Sequence, residues 1–147
     1  MNIVGICSGG GHLTELLAVA KYLPSVQAII TERDTANRNQ FVGVRLVPLV
    51  DPHRSVFRFF LNILHSLILL IELRPSVVIS TGAGMTIPFF ILSRFLGAST
   101  IFIESGARVK TPSLSGRLCY NFSDLFIIQS SELARFFPGA IHSSIIP

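Results

Sequence analysis

IVGICSGGGH, residues 3–12, joins an apolar run to a glycine-rich turn that ends in a histidine. The run Ile3–Cys7 carries no charge and does not alternate between polar and apolar residues, which is typical of a strand covered on both faces. Leu13–Leu23 is predicted to be a helix that ends before Pro24. A buried strand, a glycine turn and a helix in this order predict the first unit of an α/β fold.

The same alternation continues along the rest of the chain. Strands are predicted at residues 26–31, 44–50, 76–80, 99–103, 125–129 and 141–147, and helices at residues 54–73, 85–96, 112–121 and 131–137. Pro48 indicates an irregular or edge position for the third strand, because proline cannot donate a hydrogen bond to a neighbouring strand. Residues 32–40 are polar and are predicted to form a loop with at most a turn of helix.

Apolar strands separated by helices predict a Rossmann-like, mainly parallel sheet with helices on both faces. The 147 residues accommodate one such domain, residues 1–147, and are too few for two. Half of the residues are hydrophobic and only 14% are charged, against about 25% in an average protein. Either the core is large or part of the surface is apolar.

The charge and cysteine patterns disfavour several classes of protein. The net charge is +4 and ten of the twelve basic residues are arginine, but they are scattered without interleaved aromatic residues, so no nucleic acid partner is predicted. Cys7 and Cys119 lie far apart and no Cys/His cluster occurs, so no metal site, disulfide framework or cofactor is predicted. The amino-terminal residues lack the features of a signal peptide, and a reducing cytosol is expected.

Three loops at the carboxyl ends of predicted strands concentrate the glycine and polar residues, and ligands of parallel sheets bind at this edge. In the first loop, Ser8 precedes Gly9, Gly10 and Gly11, whose free N–H groups and following helix end would attract a diphosphate. The alternative is a turn needed only for packing. The spacing differs from GxGxxG, so a dinucleotide is disfavoured, although Glu32 follows the second strand near the place of a ribose partner.

Two titratable residues in these loops are candidate catalytic bases. His12 begins a helix, whose positive end favours the neutral imidazole that a general base needs. Glu104 follows a buried strand and either binds a substrate hydroxyl, acts as a base or pairs with Arg108. For both, a purely structural role is the alternative. The other candidates for acceptor or diphosphate binding in the second and third loops are Thr81, Gly82, Gly84, Ser105, Gly106 and Arg108.

Residues 56–71, VFRFFLNILHSLILLI, are apolar around most of a helix, whereas a crossover helix normally has a polar outer face. The sixteen residues include Arg58, Asn62 and His65 and fall short of the about 20 apolar residues of a spanning helix. We therefore predict that the helix near 54–73 lies in the membrane interface. The alternative is burial on both sides by protein, including a partner subunit. The predicted membrane-docking residues are Arg54, Phe57, Arg58, Phe59, Phe60 and Ile63.

Three motifs occur in an order that resembles one protein family: Gly9–His12, Ser80–Gly84 and Ile103–Arg108. Asp124–Gln129, with Phe137-Pro138 after it, resembles the distal part of the same family. The family is the membrane-docking subunit of two-subunit UDP-sugar transferases, which includes exopolysaccharide proteins of the PssD type and the eukaryotic subunit that adds the second GlcNAc to dolichol diphosphate. The chain more distantly resembles the amino-terminal half of the transferase that makes lipid II, where His12 and Glu104 match residues facing the lipid-diphosphate acceptor.

The resemblance implies the acceptor-side, amino-terminal half of a GT-B glycosyltransferase used in polysaccharide biosynthesis. The partner would be a donor-binding subunit that holds UDP-GlcNAc or another UDP-sugar. The acceptor would be a polyprenyl-diphosphate-linked glycan, transfer would invert the anomeric configuration, and the chain alone would be inactive. Family members often carry an additional amino-terminal anchor. This chain starts directly at its first strand, so the apolar helix is expected to dock it, as a peripheral or monotopic protein, on the cytoplasmic face of the membrane.

Two other functions stay open at this point. The chain is either a non-catalytic anchor that recruits and stabilises a catalytic partner, or a stand-alone nucleotide-binding Rossmann protein. In the first case His12 and Glu104 would be structural, and loss of the apolar helix would matter more than loss of either side chain. In the second case the isolated chain would bind UDP or NAD, which the glycine spacing disfavours.

Overall fold

The apolar runs of the sequence form the strands of one sheet in a computed structural model, which describes residues 1–38, 44–53 and 55–144. The strands are β1 (Ile3–Cys7), β2 (Ala28–Glu32), β3 (Arg45–Leu49), β4 (Val77–Gly82), β5 (Ser99–Ile103), β6 (Leu125–Ile128) and β7 (Ile141–His142). Their order in the sheet is β3-β2-β1-β4-β5-β6-β7, and every described pair is parallel. The prediction of a Rossmann-like parallel sheet is therefore confirmed.

Helices cover both faces of the sheet, as predicted. They are α1 (Gly11–Ala20), α2 (Arg33–Arg38), α3 (Val56–Leu73), α4 (Ile87–Phe95) and α5 (Leu114–Cys119), and 3₁₀ turns lie at Gly84–Thr86, Tyr120–Phe122 and Ser131–Arg135. Alternate residues of a strand point to opposite faces, so β1 sends Val4 and Ile6 into a core with α3 and α4, and Ile3 and Cys7 into a second core with α1.

Several predicted boundaries change in the structure. β3 is an edge strand, which confirms the inference from Pro48. The polar segment after β2 is more regular than predicted, because α2 forms a helix of six residues. The predicted helix at 131–137 is a 3₁₀ turn, and α5 begins only after Ser113, whose side chain accepts the N–H of Gly116. The last predicted strand is reduced to β7, and residues 145–147 lie outside the described residues.

The order of the strands brings the predicted loops together. From β1 the chain builds one half of the sheet through β2 and β3, and then crosses to β4 on the other side of β1. β1 and β4 are therefore neighbours at the point where the winding reverses, which is where ligands of open α/β sheets bind. Cys7 pairs with Gly82 at the carboxyl end of the two strands. The glycine loops after β1 and β4 lie side by side as a result.

Candidate functional site

The three predicted loops meet at the carboxyl edge of the sheet, and hydrogen bonds join them. Thr81 donates its hydroxyl to the backbone oxygen of His12 at 2.7 Å, which links the loop after β4 to α1. Gly82 has φ of 105° and lies so close to α1 that a Cβ built on it would be 3.4 Å from His12 Cε1. Glycine is favoured there by the backbone conformation, which residues with a side chain rarely adopt. The predicted clustering of these loops agrees with the observed geometry.

The first glycine of the loop after β1 is not open to a phosphate. Gly9 donates its N–H to Glu32 Oε1 at 2.8 Å and Oε2 at 3.0 Å. The hydroxyls of Thr31 and Thr35 donate to the same carboxylate. Burial tends to raise the pKa of Glu32, but the hydrogen bonds from Thr35, Gly9 and Thr31 outweigh it and lower the pKa. The expectation of free N–H groups along the whole loop is therefore wrong at Gly9, where an anionic carboxylate already lies.

The next two glycines remain accessible. A Cβ built on Gly10 or Gly11 would meet no described atom within 4 Å. Gly10 has φ of 69°, and α1 begins at Gly11 without a described side chain that caps it. The first N–H groups of a helix lack partners within the helix and attract anions. An anionic ligand is therefore expected at Gly10 and Gly11 rather than along the full length of the loop.

His12 lies on the first turn of α1, with its side chain half-buried. Its Nδ1 atom is buried and has no hydrogen-bond partner among the described residues. The backbone oxygen of His12 is held by Thr81, so the position of the residue is fixed from β4. A half-buried imidazole at the mouth of the loops is chemically suited to accept a proton from a bound hydroxyl.

Glu104 is enclosed in the protein, with 1% of its surface exposed. Glu104 Oε2 accepts hydrogen bonds from Ser113 N at 3.2 Å and Ser113 Oγ at 3.0 Å, and Oε1 accepts from Ser105 N at 3.2 Å. A Cβ built on Gly116 would overlap Glu104 Oε2. The carboxylate therefore holds the loop after β5 against the start of α5. Its described partners are Ser113 and Ser105, in place of the predicted alternative Arg108, which is exposed.

A second buried carboxylate, Glu15 on α1, was not predicted. Glu15 is 5% exposed, and its Oε1 accepts from Gly106 N at 2.8 Å, Ser105 Oγ at 3.3 Å and Gln129 Nε2 at 3.4 Å. Its Oε2 is buried and has no hydrogen-bond partner within the described part of the chain. The sequence did offer a clue to this site, because Glu15 is an acidic residue in an otherwise mostly apolar helix and lies three positions after His12.

The other residues predicted to bind the acceptor or its diphosphate include both buried and exposed ones. Ser8 is half-buried, and Ser105 is buried. The exposed members, which surround the opening of the loops, are Gly10, Gly11, Gly84, Gly106 and Arg108. In the described ranges no group of three or more His, Cys, Asp or Glu side chains is placed to hold a metal ion.

α3 buries one face and exposes an apolar one. Asn62 on the buried face donates to the backbone oxygens of Val50 at 2.6 Å and Met85 at 3.1 Å, which ties the helix to the domain. The exposed apolar face, defined by side chains that are 59–72% exposed, consists of Phe57, Phe60, Leu64, Ile68 and Ile71. The 18 residues are long and apolar enough to cross a membrane by length and composition, so length alone does not exclude a span.

The predicted docking residues fit this face in part. Phe57 and Phe60 belong to it, Phe59 is 41% exposed and Arg58 is also exposed. Ile63 is half-buried, and Arg54 lies outside the described residues. The prediction omitted the carboxyl-terminal half of the exposed face, from Leu64 onward, although the helical spacing placed these residues beside Phe57 and Phe60.

The chain is similar in sequence to one family of known proteins. The family model "Oligosaccharide biosynthesis protein Alg14 like" matches residues 50–146, which is more than half of the chain. The chain belongs to the Alg14-like family. The UDP-N-acetylglucosamine transferase subunit ALG14 of Rattus norvegicus is 31% identical over 97% of this chain and 81% of its own length. The corresponding subunit of Mus musculus is 25% identical with the same coverage. The family predicted from the motifs is therefore confirmed.

The fold is shared with larger proteins. MurG of Acinetobacter baumannii superposes with a TM-score of 0.77 and 15% identity over all of this chain, which spans about half (47%) of the MurG chain. A UDP-N-acetylglucosamine 2-epimerase of Rickettsia bellii gives a TM-score of 0.76 at 14% identity and is covered to 41%. Identities this low show the fold alone. The Alg14-like chain thus has the fold of somewhat less than half of each of these longer chains.

Proposed function

We propose that this Alg14-like chain is the acceptor-binding and membrane-recruiting subunit of a two-subunit inverting glycosyltransferase. The enzyme would transfer GlcNAc or a similar sugar from its UDP-sugar to a polyprenyl-diphosphate-linked glycan in polysaccharide biosynthesis. The observation that supports this most directly is the alignment of 97% of the chain with relatives that are named UDP-N-acetylglucosamine transferase subunits. A donor-binding glycosyltransferase subunit would supply the UDP-sugar, and this chain alone would be inactive.

The acceptor diphosphate is proposed to bind at Gly10 and Gly11. These residues are open at the start of α1, whereas the N–H of Gly9 is occupied by the carboxylate of Glu32. A carboxylate there would repel a second anion close by, so the diphosphate should lie toward α1. The exposed guanidinium of Arg108 lies on the neighbouring loop after β5 and would add positive charge.

Of the two predicted bases, His12 is the one that we propose removes the proton of the acceptor hydroxyl. Its imidazole is half-buried at the open loops, whereas both oxygens of Glu104 accept hydrogen bonds from the serines that follow it. The acceptor oxygen would bond to the anomeric carbon as the bond from that carbon to UDP breaks, and the proton would move to His12. Glu104 would act by keeping the loop after β5 in place.

Membrane recruitment is assigned to the exposed apolar face of α3, at the cytoplasmic surface of the membrane. The helix would lie in the interface rather than across the bilayer, because a span would break the hydrogen bonds of Asn62 to Val50 and Met85. Burial of these large side chains in lipid is favourable, and an exposed patch of this kind normally marks a binding surface. A peripheral or monotopic protein would result.

Co-expression with the donor-binding subunit tests the proposal. Membranes that contain this chain, the partner or both would be assayed for UDP-GlcNAc-dependent transfer to a polyprenyl-diphosphate-linked acceptor. Product is expected only when both chains are present. Transfer by this chain alone, or binding of UDP or NAD by the isolated chain, would instead support a stand-alone Rossmann enzyme.

A non-catalytic anchor is the second candidate, and the enclosure of Glu104 favours it. If neither His12 nor Glu104 takes part in chemistry, the chain would contribute only membrane attachment and partner binding. Transfer would then persist after substitution of His12 but would fall after removal of the exposed apolar face of α3. The two outcomes separate the catalytic subunit from the anchor.

A further inference from the structure

Two buried polar atoms on α1 lack a hydrogen-bond partner among the described residues. His12 Nδ1 and Glu15 Oε2 are the buried side-chain nitrogen and oxygen atoms that lack a hydrogen bond within residues 1–38, 44–53 and 55–144. Such atoms are uncommon in folded proteins, because a lost hydrogen bond to water must be replaced inside the protein. Two of them on one short helix therefore need an explanation.

The two side chains lie on the same face of α1, because residues three positions apart are neighbours on a helix. His12 lies against Gly82 at the end of β4, and Glu15 lies against Gly106 in the loop after β5. β4 and β5 are adjacent strands, and adjacent strands are about 4.8 Å apart. The fold therefore brings both side chains to the same edge of the sheet, on one face of α1.

The carboxylate of Glu15 is held in one orientation. Gly106, Ser105 and Gln129 all donate to its Oε1, from the loops after β5 and β6, which follow Glu15 by about ninety residues or more. Three donors to one oxygen fix the plane of the group and leave Oε2 for another partner. An ionised carboxylate prefers a donor that is itself charged or becomes charged, and an imidazole is such a donor.

The geometry points to Glu15 as the positioning residue of His12, with one water joining the Nδ1–H of His12 to Glu15 Oε2. This inference rests on the proposed function of His12. The bond would fix the tautomer that leaves Nε2 able to accept a proton, and it would favour the imidazolium that forms when the acceptor hydroxyl is deprotonated.

The other acidic groups near His12 either accept hydrogen bonds already or stay neutral. Both oxygens of Glu104 accept from Ser105 and Ser113, and both oxygens of Glu32 accept from Gly9. Burial and the nearby charge of Glu32 raise the pKa of the Cys7 thiol, which stays neutral. Glu15 is therefore the carboxylate at this edge with an oxygen available to the imidazole.

The test is the tautomer of His12, measured by ¹⁵N NMR in the full chain, bound to its donor-binding partner, with His12→Gln used to assign the signal. Wild type should show the tautomer with the proton on Nδ1. Loss of the charge in Glu15→Gln should remove the preference for that tautomer. The turnover number should fall about 10- to 100-fold, as for other orienting partners, with little change in the KM for the acceptor.

Ser105→Ala is the matched control, because it removes one other hydrogen bond of Glu15 and leaves Oε2 in place. The control should keep the tautomer of His12. If Glu15→Gln lowers transfer but leaves the tautomer unchanged, Glu15 only holds the loop and the inference is wrong. If that variant does not fold, the wild-type tautomer still decides, since a proton on Nε2 would overturn the pairing. Failure of the proposed function would differ, because the coupling would persist in a complex that makes no product.

Discussion

α1 and α3 break the usual pattern of burial in opposite directions. α1 buries an acid, Glu15, and half-buries His12 on the side that faces the sheet edge. α3 instead exposes its apolar face to solvent, including Phe57 and Ile71. A helix on the surface of a domain ordinarily does the reverse, with apolar residues inside and polar residues outside.

Glu15 on α1 has hydrogen-bond partners within the chain, whereas the exposed apolar face of α3 is not covered by the described residues. The buried carboxylate of Glu15 is compensated by donors from the loops after β5 and β6. The exposed face of α3 has no such compensation among the described residues, since its side chains are more than half exposed. The buried polar residues of α1 therefore indicate a functional site within the chain. The exposed apolar face of α3 indicates a surface that something outside the chain covers.

The largest effect is expected from His12→Ala, which tests the site that the buried polar residues of α1 indicate. Loss of a general base should lower transfer by about 10²- to 10⁴-fold, while the midpoint of thermal unfolding should change little. Transfer to a lipid-linked acceptor, measured with the partner subunit present, checks the result. His142→Ala is the control, because His142 is exposed on β7 at the far edge of the sheet. Equal turnover of the two variants would remove His12 from the mechanism and favour the anchor.

The second effect tests the exposed apolar face of α3 through Phe60→Gln, Leu64→Gln and Ile68→Gln together. Each large apolar side chain contributes about 1.5–3 kcal/mol when fully buried, and partial burial in lipid should still make the loss at least about 100-fold. Flotation with anionic vesicles measures membrane binding. Tyr22→Gln with Ile141→Gln is the control, since both residues are exposed but lie outside α3. If the triple variant still floats but no longer binds the partner subunit, protein rather than lipid covers α3.

Local patterns in the sequence were enough to predict much of the fold. The continuous apolar runs predicted parallel strands, and Pro48 predicted an irregular or edge position for β3. Both signals are local, because the residues that carry them lie in the strands that they describe. The predicted helix near 54–73 was also correct within two residues at its start. Its apolar content indicated that part of it stays exposed, but the predicted docking residues included half-buried Ile63 and omitted exposed Leu64 and Ile68.

The site was predicted less completely, because its contacts join distant positions. Gly9 and its partner Glu32 are 23 residues apart, and Glu15 is 91 residues from Gly106. Which side chains meet depends on the neighbours of each strand in the sheet and on the paths of the loops, which no local pattern specifies. Because no local pattern shows which side chains meet, contact with a ligand was among the roles predicted for Glu104. The loop after β5 turns back, and Ser113 encloses the carboxylate.

The smallest effect tests whether charge holds the loop before α1, through Glu32→Gln. Glutamine keeps an acceptor but loses the charge-assisted bonds from Gly9 and Thr35, so the free energy of unfolding at pH 7 should fall by about 1–2 kcal/mol. The pKa of Glu32 in the folded chain is lowered from 4.5, so its contribution is present above that value and is lost as the pH falls through the lower folded value. Urea unfolding of both proteins should therefore converge at acid pH. A difference that stays constant with pH would show that the shape of Glu32, and not its charge, orders the loop on the polar side of the molecule.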